Sequence, residues 1–357
     1  MTGRPRPVVD AMPAYRPGKA AAQAEAEHGI TNAIKLASNE TPWAPVASVA
    51  AAIAEAAAGV NRYADHRATA LRSALGASLG VSEDRVAVGC GSAGLLQQLC
   101  LTYVDPGDEV VYPWRSFEVY PVFTQLAGGA SVTVPLVDHR FDLEAIAAAV
   151  GERTKLVFLA SPNNPTGTSI TSDDLNRLMD SIDSNTIVVL DEAYREFNDP
   201  AMGDPVVDVL PNHDNLVVLR TFSKAHGLAG LRVGYMIGDP VVVASVDKTL
   251  VPFAVNAIAQ AAGIAAVSAA SEIGDRVAQL ELERDRVVAA LRAAGHEFPE
   301  PQANFVWLPI GERTDAVCLG LEQRGVVTRP FPGEGIRVTI GTAEENDRFL
   351  ATLAELV

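Results

Sequence analysis

Lys155-Leu-Val-Phe-Leu-Ala-Ser-Pro-Asn-Asn-Pro-Thr-Gly167 is an apolar run that stops abruptly at a polar turn. Two later stretches repeat the design: Thr186-Ile-Val-Val-Leu-Asp-Glu-Ala-Tyr194 and Leu216-Val-Val-Leu-Arg-Thr-Phe-Ser-Lys224. Each run is short, rich in β-branched and aliphatic residues, and free of polar alternation. A strand buried on both faces reads this way. Helical patterns separate the runs, so the chain is expected to form an α/β fold around a mostly parallel sheet. The polar clusters then fall at the carboxyl ends of the strands, where open α/β sheets bind their ligands.

Outward from this centre the alternation continues. Strands are expected at Arg85–Val88, Glu109–Tyr112, Ser131–Pro135 and Val233–Ile237. Helices are expected at Ser92–Tyr103, Phe117–Leu126, Leu143–Val150 and Ser172–Ile182. Two Ala-rich helices, Val46–Gly59 and Ala68–Gly80, each end at a glycine stop signal. Residues 1–37 read as an irregular, proline-containing arm. Beyond about Asp239, longer helices (Val255–Ala270, Glu272–Ala294) give way to short strands (Asn304–Leu308, Val326–Arg329, Ile336–Ile340). These suggest a smaller α+β domain. The expected division is an arm at 1–37, a large domain at 38–250 and a small domain at 251–357.

The chain has 357 residues, 48% of them hydrophobic, and a formal net charge of -16. That length supports a large core, and the charge argues against nucleic-acid and anionic-membrane partners. Cys90, Cys100 and Cys318 are widely spaced and form no CxxC, which fits a reducing compartment. No apolar run is long enough to span a membrane, and the N-terminal stretch lacks the core of a signal peptide, so a cytoplasmic location is expected. The six histidines lack metal-ligand spacing, and no metal is expected.

Gly89-Cys-Gly-Ser-Ala-Gly94 satisfies the dinucleotide pattern G-x-G-x-x-G. That pattern needs an acidic residue at the end of the next strand, but Glu109 stands before it, so a nicotinamide dehydrogenase is disfavoured. The glycine turn still feeds a helix N-terminus, whose free amides and positive dipole end suit a phosphate. Together with the strand-end clusters and Gly230-Leu-Arg-Val-Gly234, the turn meets the demands of pyridoxal phosphate. Lys224 offers an amine for the aldehyde and Asp191 a carboxylate for the pyridine nitrogen. Tyr194 and Asn164 can donate to the ring oxygen, while Thr221, Ser223, Arg232 and the Gly91–Ala93 turn can hold the phosphate.

At these residues the sequence resembles the fold type I family of pyridoxal-phosphate aminotransferases, in the histidinol-phosphate and aromatic branch. The resemblance runs in order through Lys35-Leu-Ala-Ser-Asn-Glu40, Asn61-Arg-Tyr63, the glycine turn, Ser116-Phe117 through Tyr120, NNPTG, DEAY, TFSKAHGLAGLRVG and Gly335-Ile-Arg337-Val-Thr-Ile. It implies the fold type I architecture, a large domain with a mostly parallel sheet flanked by helices plus a smaller α+β domain. It also implies a homodimer with shared active sites. Catalytic roles fall to Lys224, Asp191 and Tyr194. Lys224 would hold the cofactor and shuttle a proton in a ping-pong transamination. Gly91, Ser92, Ala93, Asn164, Thr221, Ser223 and Arg232 would bind the cofactor, with Phe117 stacked on its ring and Tyr63 reaching the phosphate from the partner. Arg337, with Asn164, would clamp the substrate α-carboxylate. Asn39, Tyr15 and Arg329 would lie beside the substrate, and His226 is read as structural.

Two segments depart from the histidinol-phosphate pattern: Gly89-Cys-Gly-Ser-Ala-Gly-Leu-Leu-Gln-Gln98 and Trp114-Arg-Ser-Phe117. Both resemble the actinobacterial aromatic (phenylalanine) aminotransferases. The expected reaction is transfer between phenylalanine or tyrosine and 2-oxoglutarate, with histidinol phosphate as the alternative substrate. Trp43, Tyr15 and Phe331 are candidates for an aromatic pocket, and Arg329 for the side-chain anion. A DNA-binding regulator on the same fold is disfavoured by the negative charge.

Overall fold

A computed structural model describes residues 3–12 and 17–357, so Tyr15 lies outside the described residues. The strands are β1 (Ile34–Lys35), β2 (Val86–Gly89), β3 (Glu109–Trp114), β4 (Ala130–Pro135), β5 (Thr154–Ala160), β6 (Ile187–Asp191), β7 (Leu216–Thr221), β8 (Gly234–Ile237), β9 (Phe305–Leu308), β10 (Val326–Val327), β11 (Arg329–Phe331) and β12 (Gly335–Thr339). Seven of them form the central sheet in the order β2-β8-β7-β6-β5-β3-β4. Its β3–β7 pairings are parallel, while β8 runs antiparallel to both its neighbours. β12 sits between β11 and β9 in a second, antiparallel sheet.

The apolar runs are continuous because the sheet has a core on each face. Along β5, Val157 and Leu159 enter one hydrophobic cluster, while Leu156 and Phe158 enter the other. Val188 and Leu190 of β6 split from Val189 in the same way. Successive strand residues point to opposite faces, so burial on both sides removes any polar alternation. Each buried Val, Leu or Phe side chain contributes about 1.5–3 kcal/mol.

Several local expectations are corrected. The arm is not wholly irregular, since Pro7–Ala11 and Ala21–His28 are helical. The second is built from alanine and glutamate and stops where Gly29 turns left-handed at φ 65. The helix expected from Phe117 starts at Tyr120, with Pro121 in its first turn, which leaves Ser116–Val119 as a loop. The single strand expected at Val326–Arg329 is divided: β10 pairs in parallel with β1, and β11 with β12. Thr328 is where the chain changes sheets. Helix Ala257–Ser268 packs on helices Ala47–Ala57 and Thr69–Leu79. Among the described residues no single helix is long and apolar enough to cross a membrane.

Candidate active site

The carboxyl ends of β5, β6 and β7 open into a cavity of about 240 Å³, closed on its other side by Ala37–Ser38 and by Arg329 and Arg337. Lys224 enters from the turn after β7, and its Nζ donates to the carbonyl of Ser38 at 2.9 Å. Loss of hydration, reinforced by the guanidinium of Arg337, pushes the Lys224 amine down to about 7. Such an amine can both release and accept a proton near neutral pH.

Asp191 ends β6 and is 4% exposed. Its Oδ2 accepts from the Tyr120 hydroxyl at 3.4 Å, whereas its buried Oδ1 has no hydrogen-bond partner among the described residues. Burial pushes this carboxyl up to about 7. Tyr194 follows, edge-on to Phe305 with ring centroids 5.0 Å apart. Its hydroxyl accepts from Asn39 Nδ2 at 2.9 Å. Asn39 is wholly buried and exchanges two hydrogen bonds with Thr339, at 2.9 and 3.0 Å. It therefore stands behind Tyr194 and does not line the cavity.

At the opposite end, helix Gly91–Tyr103 points its N-terminus at the cavity, where Ser92 and Ala93 form the wall. Gly91 has φ 72, and a Cβ there would fall 2.6 Å from Arg232 Nη2. Arg232 Nη1 donates to the Ala229 carbonyl at 2.9 Å and to Ser223 Oγ at 3.4 Å. Thr221 Oγ1 donates to Ser223 Oγ at 3.0 Å. Gly234, in β8, lies beneath the turn: a Cβ on it would be 2.5 Å from the Ser92 nitrogen and 2.8 Å from the Gly91 carbonyl carbon. Hydroxyls, a guanidinium and helix amides converge here without any acidic side chain among them, which is the chemistry of an anion site.

At the substrate end, Arg337 projects from β12. Its Nη1 donates to Asn164 Oδ1 and its Nη2 to the Ala37 carbonyl, both at 2.6 Å. Phe117 lines the cavity, edge-on to Tyr120 with centroids 5.8 Å apart. Arg329 also lines it, and donates to Glu118 at 2.7 Å.

Most of the expected site residues that the structure describes thus face one cavity, and three of those described do not. Besides Asn39, Gly91 is set just behind the wall, and Tyr63 is 83% exposed and stacks on Phe253 at 4.4 Å. Of the described aromatic-pocket candidates, Phe331 is buried against Trp307, and the partly buried Trp43 packs on the main hydrophobic cluster. His226 is half-buried, edge-on to Phe222. Sequence reasoning missed Tyr120, Ser38, Glu118 and the support from Gly234. Ser38, Tyr120 and Gly234 stand inside the segments that carry the resemblance, and Glu118 directly follows Phe117, so each had a signal of position and none of its role.

The residues fit pyridoxal phosphate on two structural grounds. Asp191 keeps a buried carboxylate oxygen unpartnered, as a ring N–H would require. The glycine turn is bare where a Cβ would collide with the anion-binding arginine.

Comparison with known proteins gives the same picture. Residues 31–353 match the family described as aminotransferase class I and II. The chain is 51% identical to the aromatic amino acid aminotransferase of Thermobifida fusca, across 97% of this chain and 95% of that one. It is 49% identical to the aromatic amino acid aminotransferase of Streptomyces coelicolor, across 98% and 96%. Among solved structures, histidinol-phosphate aminotransferase from Sinorhizobium meliloti in complex with pyridoxal-5'-phosphate superposes with a TM-score of 0.92. The two share 30% identity, covering 100% of this chain and 98% of that one.

Proposed function

Because the chain belongs to the class I and II aminotransferases and has their fold type I architecture, we propose that it moves an amino group between an aromatic amino acid and 2-oxoglutarate by a ping-pong route. Membership of this family implies pyridoxal phosphate as cofactor. The observation that carries the reading is the meeting of Lys224, Asp191 and Arg337 in one cavity, with lysine and carboxyl both displaced to about 7. The names of the relatives at 49–51% identity support the aromatic substrate.

When bound, the cofactor supplies an electron sink that acidifies the substrate Cα–H. The protein does the rest. Arg232, Ser92, Ala93, Thr221 and Ser223 would hold the phosphate, and Asp191 would keep the ring nitrogen protonated by offering Oδ1. Asn164 and Tyr194 would donate to the ring oxygen, and Phe117 would pack against the ring. Arg337 grips the α-carboxylate as a two-pronged donor, which fixes the substrate's orientation. Lys224 Nζ, its amine pushed down to about 7, would take the Cα proton and later give it back. Tyr63, on the surface beside Phe253, fits a role across a homodimer interface. A cytoplasmic enzyme of amino-acid metabolism agrees with all of this.

The test is single-turnover conversion of the cofactor-loaded enzyme with phenylalanine, tyrosine and histidinol phosphate side by side. Fast turnover of the first two is expected, with loss of both conversion and the long-wavelength cofactor absorption in Lys224→Ala. Preference for histidinol phosphate would overturn the substrate assignment and leave the family intact. That second reading is favoured by Arg329, a cation at the cavity wall suited to a phosphate, and by the Sinorhizobium meliloti structure.

A further inference from the structure

The cavity wall holds an arginine that already has an anion of the protein's own. Arg329 Nη2 donates to Glu118 Oε2 at 2.7 Å, and both residues line the cavity. The two partners are unequally held. The Arg329 side chain is 14% exposed and lies over the Phe331 ring, 5.8 Å from its centroid, whereas the Glu118 side chain is 34% exposed and sits on the Ser116–Val119 loop. A separate ion pair, Arg115 with Glu334, joins the segment before Glu118 to the turn after β11. Arg115 also stacks on Trp114 at 4.6 Å and on Phe331 at 5.6 Å. The hairpin that carries Arg329 is therefore anchored without Glu118, and Glu118 is the partner free to leave.

A carboxylate in this position works against any anionic ligand. A dicarboxylic oxo acid must displace Glu118 to reach Arg329. An uncharged aromatic side chain has no such competitor, and it gains from an arginine whose charge is already balanced, because a cation left unpaired beside an apolar group costs its desolvation. We propose that Glu118 is a specificity-determining residue. It neutralises Arg329 while an aromatic substrate is bound, and it yields Arg329 to the distal carboxylate of the dicarboxylic partner. The proposal rests on the aromatic and dicarboxylic substrate reading given above.

The experiment measures binding of two unreactive acids to the cofactor-loaded enzyme by calorimetry. Glutarate stands for the dicarboxylic partner and 3-phenylpropionate for the aromatic one. Removing one competing charge-assisted hydrogen bond is worth about tenfold in affinity. Glu118→Gln is therefore expected to bind glutarate about tenfold more tightly, with 3-phenylpropionate unchanged or weaker, and Glu118→Ala to do the same. Adding Arg329→Gln to Glu118→Gln should erase the glutarate gain, which ties it to this pair. Unchanged or weaker glutarate binding in both single variants overturns the proposal, and so does equal tightening of the two acids. A wild-type enzyme that transaminates neither phenylalanine nor 2-oxoglutarate overturns the broader function instead, and the glutarate comparison still judges Glu118.

Discussion

Gly234→Ala puts one methyl group where the structure has no room for it. The new Cβ would lie 2.5 Å from the Ser92 nitrogen, 2.8 Å from the Gly91 carbonyl carbon and 3.0 Å from the Arg220 carbonyl oxygen. Ordinary contact begins at about 3.4 Å, so the turn must retreat by roughly 1 Å, and all three neighbours are backbone. Overpacking of this kind costs typically 1–3 kcal/mol, and backbone neighbours put it near the upper figure. The same retreat would draw the Ser92 and Ala93 amides, the two helix-terminal donors that would hold the phosphate, away from it. Each such bond to a charged group contributes about 1.5–3 kcal/mol, so cofactor affinity should fall at least a hundredfold. Cofactor titration in a Lys224→Ala background reads the phosphate grip alone, and thermal unfolding of the cofactor-free protein reads the packing strain. Gly238→Ala, whose nearest neighbour is the Val217 side chain at 3.4 Å, serves as the near-neutral control. Wild-type cofactor affinity in Gly234→Ala would refute the claim that this close approach positions the turn.

Asp191→Asn should abolish transamination yet stabilise the cofactor-free protein. A carboxyl pushed up to about 7 holds its proton more tightly folded than unfolded. Its burial therefore costs little at pH 4 and more as pH rises to about 7, at about 1.4 kcal/mol per unit. The gain in the variant should grow from pH 5 to pH 7, reach up to about 4 kcal/mol, and then level off; a gain that ignores pH means an ordinary carboxyl. Arg220→Ala strands Glu192, which is 2% exposed and paired with Arg220 at 2.8 Å, and should lower stability by about 3–5 kcal/mol in denaturant titration. Asn39→Ala removes the donor to the Tyr194 hydroxyl and the acceptor of the Thr339 hydroxyl, while the backbone N–H of residue 39 still donates to Thr339. A several-fold fall in turnover with the cofactor still bound is expected, and loss of the cofactor itself would contradict the placement of Asn39 behind Tyr194.

The central sheet was legible because burial on both faces leaves an unbroken apolar signature in β5, β6 and β7. The strand-end clusters were legible for a related reason: polar residues directly after such runs have few places to go except the sheet's carboxyl edge. Three features were not. The helix Ala21–His28 is weakly amphipathic and sits in a proline-containing arm, so its alanine content was outweighed by its neighbours. The β1–β10 pairing joins residues nearly the whole chain apart, and two-residue strands carry no periodicity. Glu118 needed the fold, because only the approach of β11 gives it Arg329. Gly234 was read as part of a motif, but its close contact with Ser92 is a tertiary fact.

The seam between the two ends of the chain also has a consequence for biosynthesis. Asn39 and Thr339 lie 300 residues apart in sequence, as do Ala37 and Arg337, yet the second pair is bonded at the cavity wall and the first directly behind it. Synthesis proceeds at about 5–20 residues per second, so Lys224 leaves the ribosome several seconds before Arg337 does. During that interval the nascent sheet can present its lysine and its phosphate turn while the grip on the amino acid is still missing. The growing chain thus has the means to hold a cofactor before it has the means to hold a substrate, and its site is complete only when its last hairpin folds back onto the segment that follows its first strand.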